Sequence, residues 1–199
     1  MSENPNAILS RVAVASLKRC VEKLTKVSAG AWSIACAEVS METLAQAVKR
    51  HALDEGESTA VYFEVKGELP FIAIILFNPR DLNIITKCML GYTFSVSPNM
   101  TQSGELLLSE LGNIILNSFV SALSNALKCV FVPTAPRCLK GEPRYLLEAM
   151  GVAAEVKSYR TLSVKLDIQC GKSVTHSEVL GLIPEKLAQE LQKIEDGAR

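Results

Sequence analysis

The sequence predicts an α+β fold: an antiparallel sheet built from two hairpins, with helices packed against it and a pseudo-two-fold internal repeat. Three observations carry that expectation. Two pairs of segments rich in β-branched and aromatic residues stand far apart in the chain, a long stretch of helical periodicity lies between them, and each pair is followed by a proline-led helix. The order helix, hairpin, proline-led helix thus occurs twice. Phe77-Asn-Pro79-Arg-Asp-Leu82 can be laid over Leu182-Ile-Pro184-Glu-Lys-Leu187 at the hairpin ends. At 199 residues, with 48% hydrophobic and 21% charged residues, the chain is long enough to bury a full core, and one domain spanning 1–199 is expected, with halves near 8–94 and 100–195.

Taken in order, Ile8, Val12, Ala15, Cys20 and Leu24 recur near helical spacing, and Val39 to about Leu53 repeats the habit. Two helices are expected there, around the short segment Ser28-Ala-Gly-Ala-Trp32. Trp32 reads as a core or interface anchor. Thr59–Val65 and Phe71–Phe77 flank Lys66-Gly67-Glu68 as a hairpin. Asn78 is suited to cap a helix, Pro79 to open it, and Gly91 to end it after Leu90.

A long helix is predicted from about Gln102 to Cys129, followed by an extended segment from Val130 to Pro136. In the final third, Leu162, Val164, Leu166, Ile168 and Cys170 alternate with Thr161, Ser163, Lys165, Asp167 and Gln169, which predicts a strand with one buried face and one wet face. Gly171-Lys172 turns the chain, Ser173–Ile183 returns, and Pro184 opens a helix from Glu185 to about Ile194. Lys128, Arg137 and Lys140 read as a solvated edge.

Charge and composition exclude several function classes. Lysine and arginine total 21 against 21 for aspartate and glutamate, so no net field draws nucleic acid or an anionic membrane, and neither is expected as a partner. The apolar run Phe71–Phe77 is far short of the ~20 residues of a membrane-spanning helix. The start, Met1-Ser-Glu-Asn-Pro-Asn6, lacks the basic and apolar regions of a secretory signal, and a cytoplasmic location is expected.

Cys20, Cys36, Cys88, Cys129, Cys138 and Cys170 stand far apart, with no metal-site or redox-motif spacing, and are expected to be buried free thiols. Of the two histidines, His176 falls in an alternating strand-like segment, where pairing or surface exposure is expected rather than ligation. Phosphate-binding loops of the G-x-x-x-x-G-K-[ST] kind and G-x-S-x-G elbows do not occur.

The long helix carries two stripes. Leu108, Leu111, Ile115, Phe119, Ala122 and Ala126 recur every three or four residues as a core-facing row. Glu110, Asn113, Asn117, Ser121 and Ser124 form a second row, in which a carboxylate and an amide stand side by side at i and i+3. Gly112, Asn113, Asn117 and Asn125 are poor helix formers, Gly112 by ~1 kcal/mol relative to Ala. Gly112 either leaves room for another protein's backbone or packs closely within the fold, and on pattern alone the second stripe reads as an ordinary solvated face with close packing at Gly112.

The run from Ser109-Glu110-Leu111-Gly112-Asn113 through Asn117 to Asn125 resembles the signature helix of the CheC, CheX and FliY group of bacterial chemotaxis phosphatases. That pattern has an acidic residue or serine, three residues, Glu, two residues, Asn, and a Pro about 22 residues later. Glu110, Asn113 and Pro136 fit it, with Pro133 a nearby alternative, while Leu106 departs from it at the first position. A fainter copy in the first half has Glu22 at the Glu position but Thr25 at the Asn position. Thr25 cannot reproduce an amide's donor and acceptor geometry, so one working site per chain is expected.

The resemblance implies an enzyme, a hydrolase that removes the aspartyl phosphate from a CheY-type response regulator in two-component signalling. Asn113 would then hold a water in line with phosphorus, and Glu110 would pair with a lysine of the partner. It implies no cofactor in this chain, the magnesium ion being the partner's. The alternative it leaves is a non-catalytic docking module, either a flagellar-switch component or a partner of the CheD deamidase.

Overall fold

A computed structural model describes residues 7–51, 56–91, 102–153 and 159–197. The chain runs α1 (Ala7–Val27), β1 (Trp32–Thr43), α2 (Leu44–His51), β2 (Ser58–Lys66), β3 (Phe71–Phe77), a 3-10 turn (Pro79–Asp81), α3 (Leu82–Leu90), α4 (Gln102–Leu127), β4 (Val132–Pro133), β5 (Arg137–Gly141), α5 (Pro143–Ala153), β6 (Tyr159–Cys170), β7 (Ser173–Pro184) and α6 (Glu185–Gly197). The architecture is α+β, as predicted. The strands form one sheet in the order β1-β6-β7-β3-β2-β4, with β5 also paired to β2, and every pairing is antiparallel.

Both predicted hairpins form. Thr59 faces Phe77 and Val65 faces Phe71 in the first, while Tyr159 faces Pro184 and Cys170 faces Ser173 in the second. β3 lies beside β7 in the middle of the sheet, and every residue of β3 is buried, as expected of an apolar run with layers on both faces. The Asn78 side chain accepts from Arg80 N, Pro79 opens the 3-10 turn, and Gly91 ends α3 in the left-handed region at φ 83°.

Layers cover the two faces unequally. α1, α4 and α6 share the larger core with the strand residues Phe63, Ile75, Val164, Leu166 and Ile183. α2 and α5 cover the other face through Ala47, Leu146, Leu147 and Met150, against Ile72, Ile74, Leu180 and Leu182. α4 is by length and composition apolar enough to cross a bilayer, but Leu111, Ile115, Leu116 and Phe119 are buried within the larger core.

Four expectations are corrected. Val39–Thr43 belongs to β1 rather than to a helix. Val39 is buried, Ser40 exposed and Met41 half-buried, a period of two that lies in register with β6. The helix begins only at Leu44, where Thr43 and Gln46 form a reciprocal cap: Gln46 N donates to Thr43 Oγ1 at 3.2 Å and Thr43 N donates to Gln46 Oε1 at 2.8 Å.

The supposed wet face of β6 is dry at Thr161 and Ser163, because α2 packs over that end of the strand. The long helix ends at Leu127, and Lys128 follows with φ 54°. Finally, Cys88 and Cys170 form a disulfide across 82 residues, with Cα atoms 6.3 Å apart, and Cys36 is an exposed thiol; among the cysteines only Cys20 is a buried free one.

Candidate functional site

α1 and α4 pack antiparallel on the same face of the sheet. Ser16 Oγ donates to the Ser118 carbonyl, and Cys20 Sγ lies 3.7 Å from the Ile114 carbonyl. As the residue number rises along one helix it falls along the other. The contact buries Leu17, Cys20, Val21 and Leu24 of α1 with the apolar row of α4. Burial pushes the Cys20 thiol pKa up, against smaller opposing effects of Ser118 and Lys23.

The second stripe of α4 is left at the surface. Glu110 is exposed and Asn113 is half-buried beside it. Asn117, one turn on, donates its Nδ2 both to the Asn113 carbonyl at 2.8 Å and to Asn113 Oδ1 at 2.7 Å. The oxygen end of the Asn113 amide is therefore tied down by a neighbour. Its Nδ2 has no hydrogen-bond partner among the described residues. A fixed amide with an open donor beside a free carboxylate can orient a small polar molecule without itself transferring a proton.

Gly112 does not open a path for a foreign backbone. It is buried against β2, where a Cβ would stand 2.7 Å from both Cβ and Cγ1 of Val61. Of the two readings of Gly112, close packing is the one realised, and it seats the Glu110–Asn113 turn on the sheet. Leu106, at the position where the family pattern has an acidic residue or serine, is 67% exposed. Pro136 is half-buried just before β5, and Pro133 lies within β4.

At the first-half counterpart, Thr25 is occupied locally. Its hydroxyl donates to the Val21 carbonyl at 3.0 Å and accepts from Trp32 N at 3.2 Å, which helps close the turn from α1 into β1. Trp32 is buried, as expected of an anchor, and its Nε1 donates to Ser28 Oγ at 2.6 Å. Lys128, Arg137 and Lys140 are exposed, Lys140 in an ion pair with Glu57, in keeping with a solvated edge.

Between α1 and α4 runs a groove of about 630 Å³ lined by Arg11, Ala15, Arg19 and Lys23 on one wall and by Asn113, Asn117, Ser121 and Asn125 on the other. Sequence reasoning named the α4 wall and missed the α1 wall. The signal was present, since Arg11, Ala15, Arg19 and Lys23 recur every four residues.

The opposite face of the sheet holds a polar network that sequence reasoning also missed. Arg50 grips Glu178 with two hydrogen bonds of 2.9 and 2.7 Å and reaches Glu42 at 2.6 Å, while His51 Nε2 stands 3.1 Å from Glu178 and Ser163 donates to it. Burial alone would raise the Glu178 carboxyl, but the hydrogen bonds from His51, Arg50 and Ser163 outweigh it and hold the pKa at about 2. His176 is exposed and pairs with Asp167 at 2.7 Å, an interaction that raises its pKa. Among the described residues, no group of three or more His, Cys, Asp or Glu side chains is arranged to hold a metal ion.

Comparison with known proteins converges on the α4 region and on the fold. The profile described as the CheC-like family matches residues 107–139, the stretch that contains Glu110, Asn113 and both prolines. No curated protein matches the sequence. FliY of Thermotoga maritima shares the fold with a TM-score of 0.74 at 12% identity, covering 100% of both chains. A chain of the FliG–FliM complex from H. pylori has a TM-score of 0.62 at 13% identity, over 95% of this chain and 100% of its own. A chain of the CheX–CheY–BeF3–Mg complex from Borrelia burgdorferi has a TM-score of 0.51 at 17% identity, over 85% and 97%.

Proposed function

We propose that this chain, CheC-like both in its matched helix segment and in its fold, is a phosphatase that hydrolyses the aspartyl phosphate of a CheY-type response regulator. One observation carries the reading. Glu110 and Asn113 stand at i and i+3 on the outer side of α4, and Asn117 fixes the Asn113 amide through two hydrogen bonds.

In this reading α4 docks over the phosphorylated site of the receiver. Glu110 pairs with a partner lysine and fixes the register of docking. Asn113 holds a water in line with phosphorus; the water oxygen bonds to phosphorus as the bond to the aspartate oxygen breaks, the aspartate is left as a carboxylate, and inorganic phosphate leaves carrying both of the water's protons, one of which it then gives up to solvent. The partner's magnesium ion supplies neutralisation of phosphoryl charge. The contribution of this chain is positioning, for which a neutral amide suits better than a carboxylate that would repel the phosphoryl oxygens.

The test is the decay of a phosphorylated CheY-type receiver with magnesium, alone, with the natural chain, and with Asn113→Ala. The natural chain should accelerate decay, and Asn113→Ala should lose ~100- to ~1000-fold of that acceleration while still binding. Glu110→Ala should weaken docking and rate together. A second reading, a non-catalytic docking module of the flagellar switch or a partner of a CheD-type deamidase, is favoured by the exposed Leu106 and by the likeness to the FliG–FliM chain. Binding without any acceleration of decay would select it.

A further inference from the structure

The functional reading leaves the second wall of the groove unused. α1 carries five basic residues, Arg11, Lys18, Arg19, Lys23 and Lys26, against the single acidic residue Glu22, whereas α4 carries Glu105 and Glu110 and no basic residue. In a chain whose charges balance at 21 to 21, that is a local concentration of positive charge. Three of these cations, Arg11, Arg19 and Lys23, line the groove at intervals that are multiples of four residues, and among the described residues no acidic side chain lines it. All three are exposed, and none forms an ion pair among the described residues.

We propose that Arg11, Arg19 and Lys23 form the recognition strip for an acidic, phosphorylated protein surface and so determine which receivers dock on α4. The inference rests on the reading of Asn113 as the phosphatase residue and adds to it the class of surface that the site accepts. The physical case is charge complementarity. Arginine side chains present forks that fit carboxylate and phosphoryl oxygens in pairs, and lysine adds a mobile point charge. Cations already paired within the fold would have little left to offer a partner; these three have no such partner among the described residues.

Geometry places the strip where it can act. The Cys20–Ile114 and Ser16–Ser118 contacts fix the antiparallel order, so Arg19 and Lys23 lie toward Asn113, and Arg11 lies toward Asn125. The facing wall of amides and hydroxyls adds hydrogen-bond capacity without charge. A receiver surface bearing carboxylates around an aspartyl phosphate is attracted along the length of the groove, and a basic surface is repelled. Because the cations are exposed at the rim, their effect falls mainly on association and on its sensitivity to salt.

The experiment measures binding of a receiver loaded with beryllofluoride and magnesium to the full chain across ionic strengths up to about 0.5 M. It compares the natural protein with the triple variant R11E/R19E/K23E and the neutral variant R11Q/R19Q/K23Q. Affinity at low salt should fall ~10- to ~100-fold in the charge-reversed protein and less in the neutral one; the neutral protein should lose much of the salt dependence, and the charge-reversed protein should bind more tightly, not less, as salt rises. Circular dichroism and the thermal midpoint should match the natural protein, since all three side chains are exposed.

Equal affinity and equal salt dependence in all three proteins would overturn the proposal. So would tighter capture of the natural chain by phosphatidylserine vesicles than by the receiver, which would mark α1 as a membrane-surface helix. The two readings fail separately. Salt-sensitive binding without hydrolysis sinks the phosphatase and leaves the strip, while Asn113-dependent hydrolysis with binding indifferent to the three cations does the reverse.

Discussion

The two faces of the sheet use their polar groups in opposite ways. On the α2–α5 face, Glu178 is buried and held by Arg50, His51 and Ser163, and Arg50 in turn engages Glu42. On the α1–α4 face, Glu110, Arg11, Arg19 and Lys23 are exposed, and the Nδ2 of Asn113 has no partner among the described residues. A carboxylate whose acceptors are filled from within the chain has little left for a ligand, and removing one member of such a network costs stability. A set of polar groups left open costs the fold little to carry and is available to a partner. The difference separates a structural network from a candidate site without reference to any relative.

Substitutions on the two faces should therefore give crossed results. Asn113→Ala should remove ~2.7 to ~4 kcal/mol of transition-state stabilisation, the equivalent of the ~100- to ~1000-fold rate loss, while changing folding stability by only ~1 kcal/mol through the lost bond to Asn117. Glu178→Gln should do the reverse. It leaves the Arg50 guanidinium partly unpaired in a half-buried position and should lower unfolding free energy by about 3 kcal/mol in denaturant titration, with receiver dephosphorylation kept. Loss of dephosphorylation in a folded Glu178→Gln protein would break the contrast between the faces.

Acid should expose the same network. The folded Glu178 carboxyl ionises at about 2, against an ordinary value of 4.5. A depressed carboxyl pKa adds stability that is complete above the unfolded value and is lost as pH falls from 4.5 toward 2, with a full contribution on the order of 3 kcal/mol. Unfolding free energy measured between about pH 5 and about pH 2 should fall more steeply for the natural protein than for Glu178→Gln, whose side chain has no charge to lose. Parallel curves would assign the acid sensitivity to other carboxylates.

What the sequence revealed depended on how far apart the cooperating residues stand. Both hairpins were legible because Thr59–Val65, Phe71–Phe77 and the alternation from Leu162 to Cys170 are local patterns, and α4 was legible because its apolar row keeps helical period from Leu108 to Ala126. Glu110 and Asn113 were legible as neighbours on one helix, although only resemblance gave them roles. The Cys88–Cys170 disulfide and the Arg50–Glu178 pair join residues 82 and 128 positions apart, and no local pattern announces either.

β1 was misread because the stretch from Val39 to about Leu53 was taken as one helix, whereas its first residues, Val39 to Thr43, continue the strand that begins at Trp32. The cap formed by Thr43 and Gln46 would have placed the boundary. Arg11, Arg19 and Lys23 were visible as a stripe on one helix face, but only the pairing of α1 with α4 shows that the stripe faces a groove.

Gly112 gives the smallest expected effect and a sharp one, because two physical terms oppose each other there. On propensity alone, Gly112→Ala should stabilise α4 by ~1 kcal/mol. The added methyl, however, meets Val61 at 2.7 Å on two atoms, and Val61 is a fully buried, β-branched residue held in the middle of β2, so neither side can yield cheaply. Overpacking of this kind costs ~1 to ~3 kcal/mol, and a net loss of about 1 kcal/mol is expected in denaturant titration. Since the shift would lift the turn bearing Glu110 and Asn113 away from the sheet, dephosphorylation should fall with it. The double variant Gly112→Ala/Val61→Ala, which clears the clash, should recover activity more fully than stability, because it leaves the core short of the valine methyls.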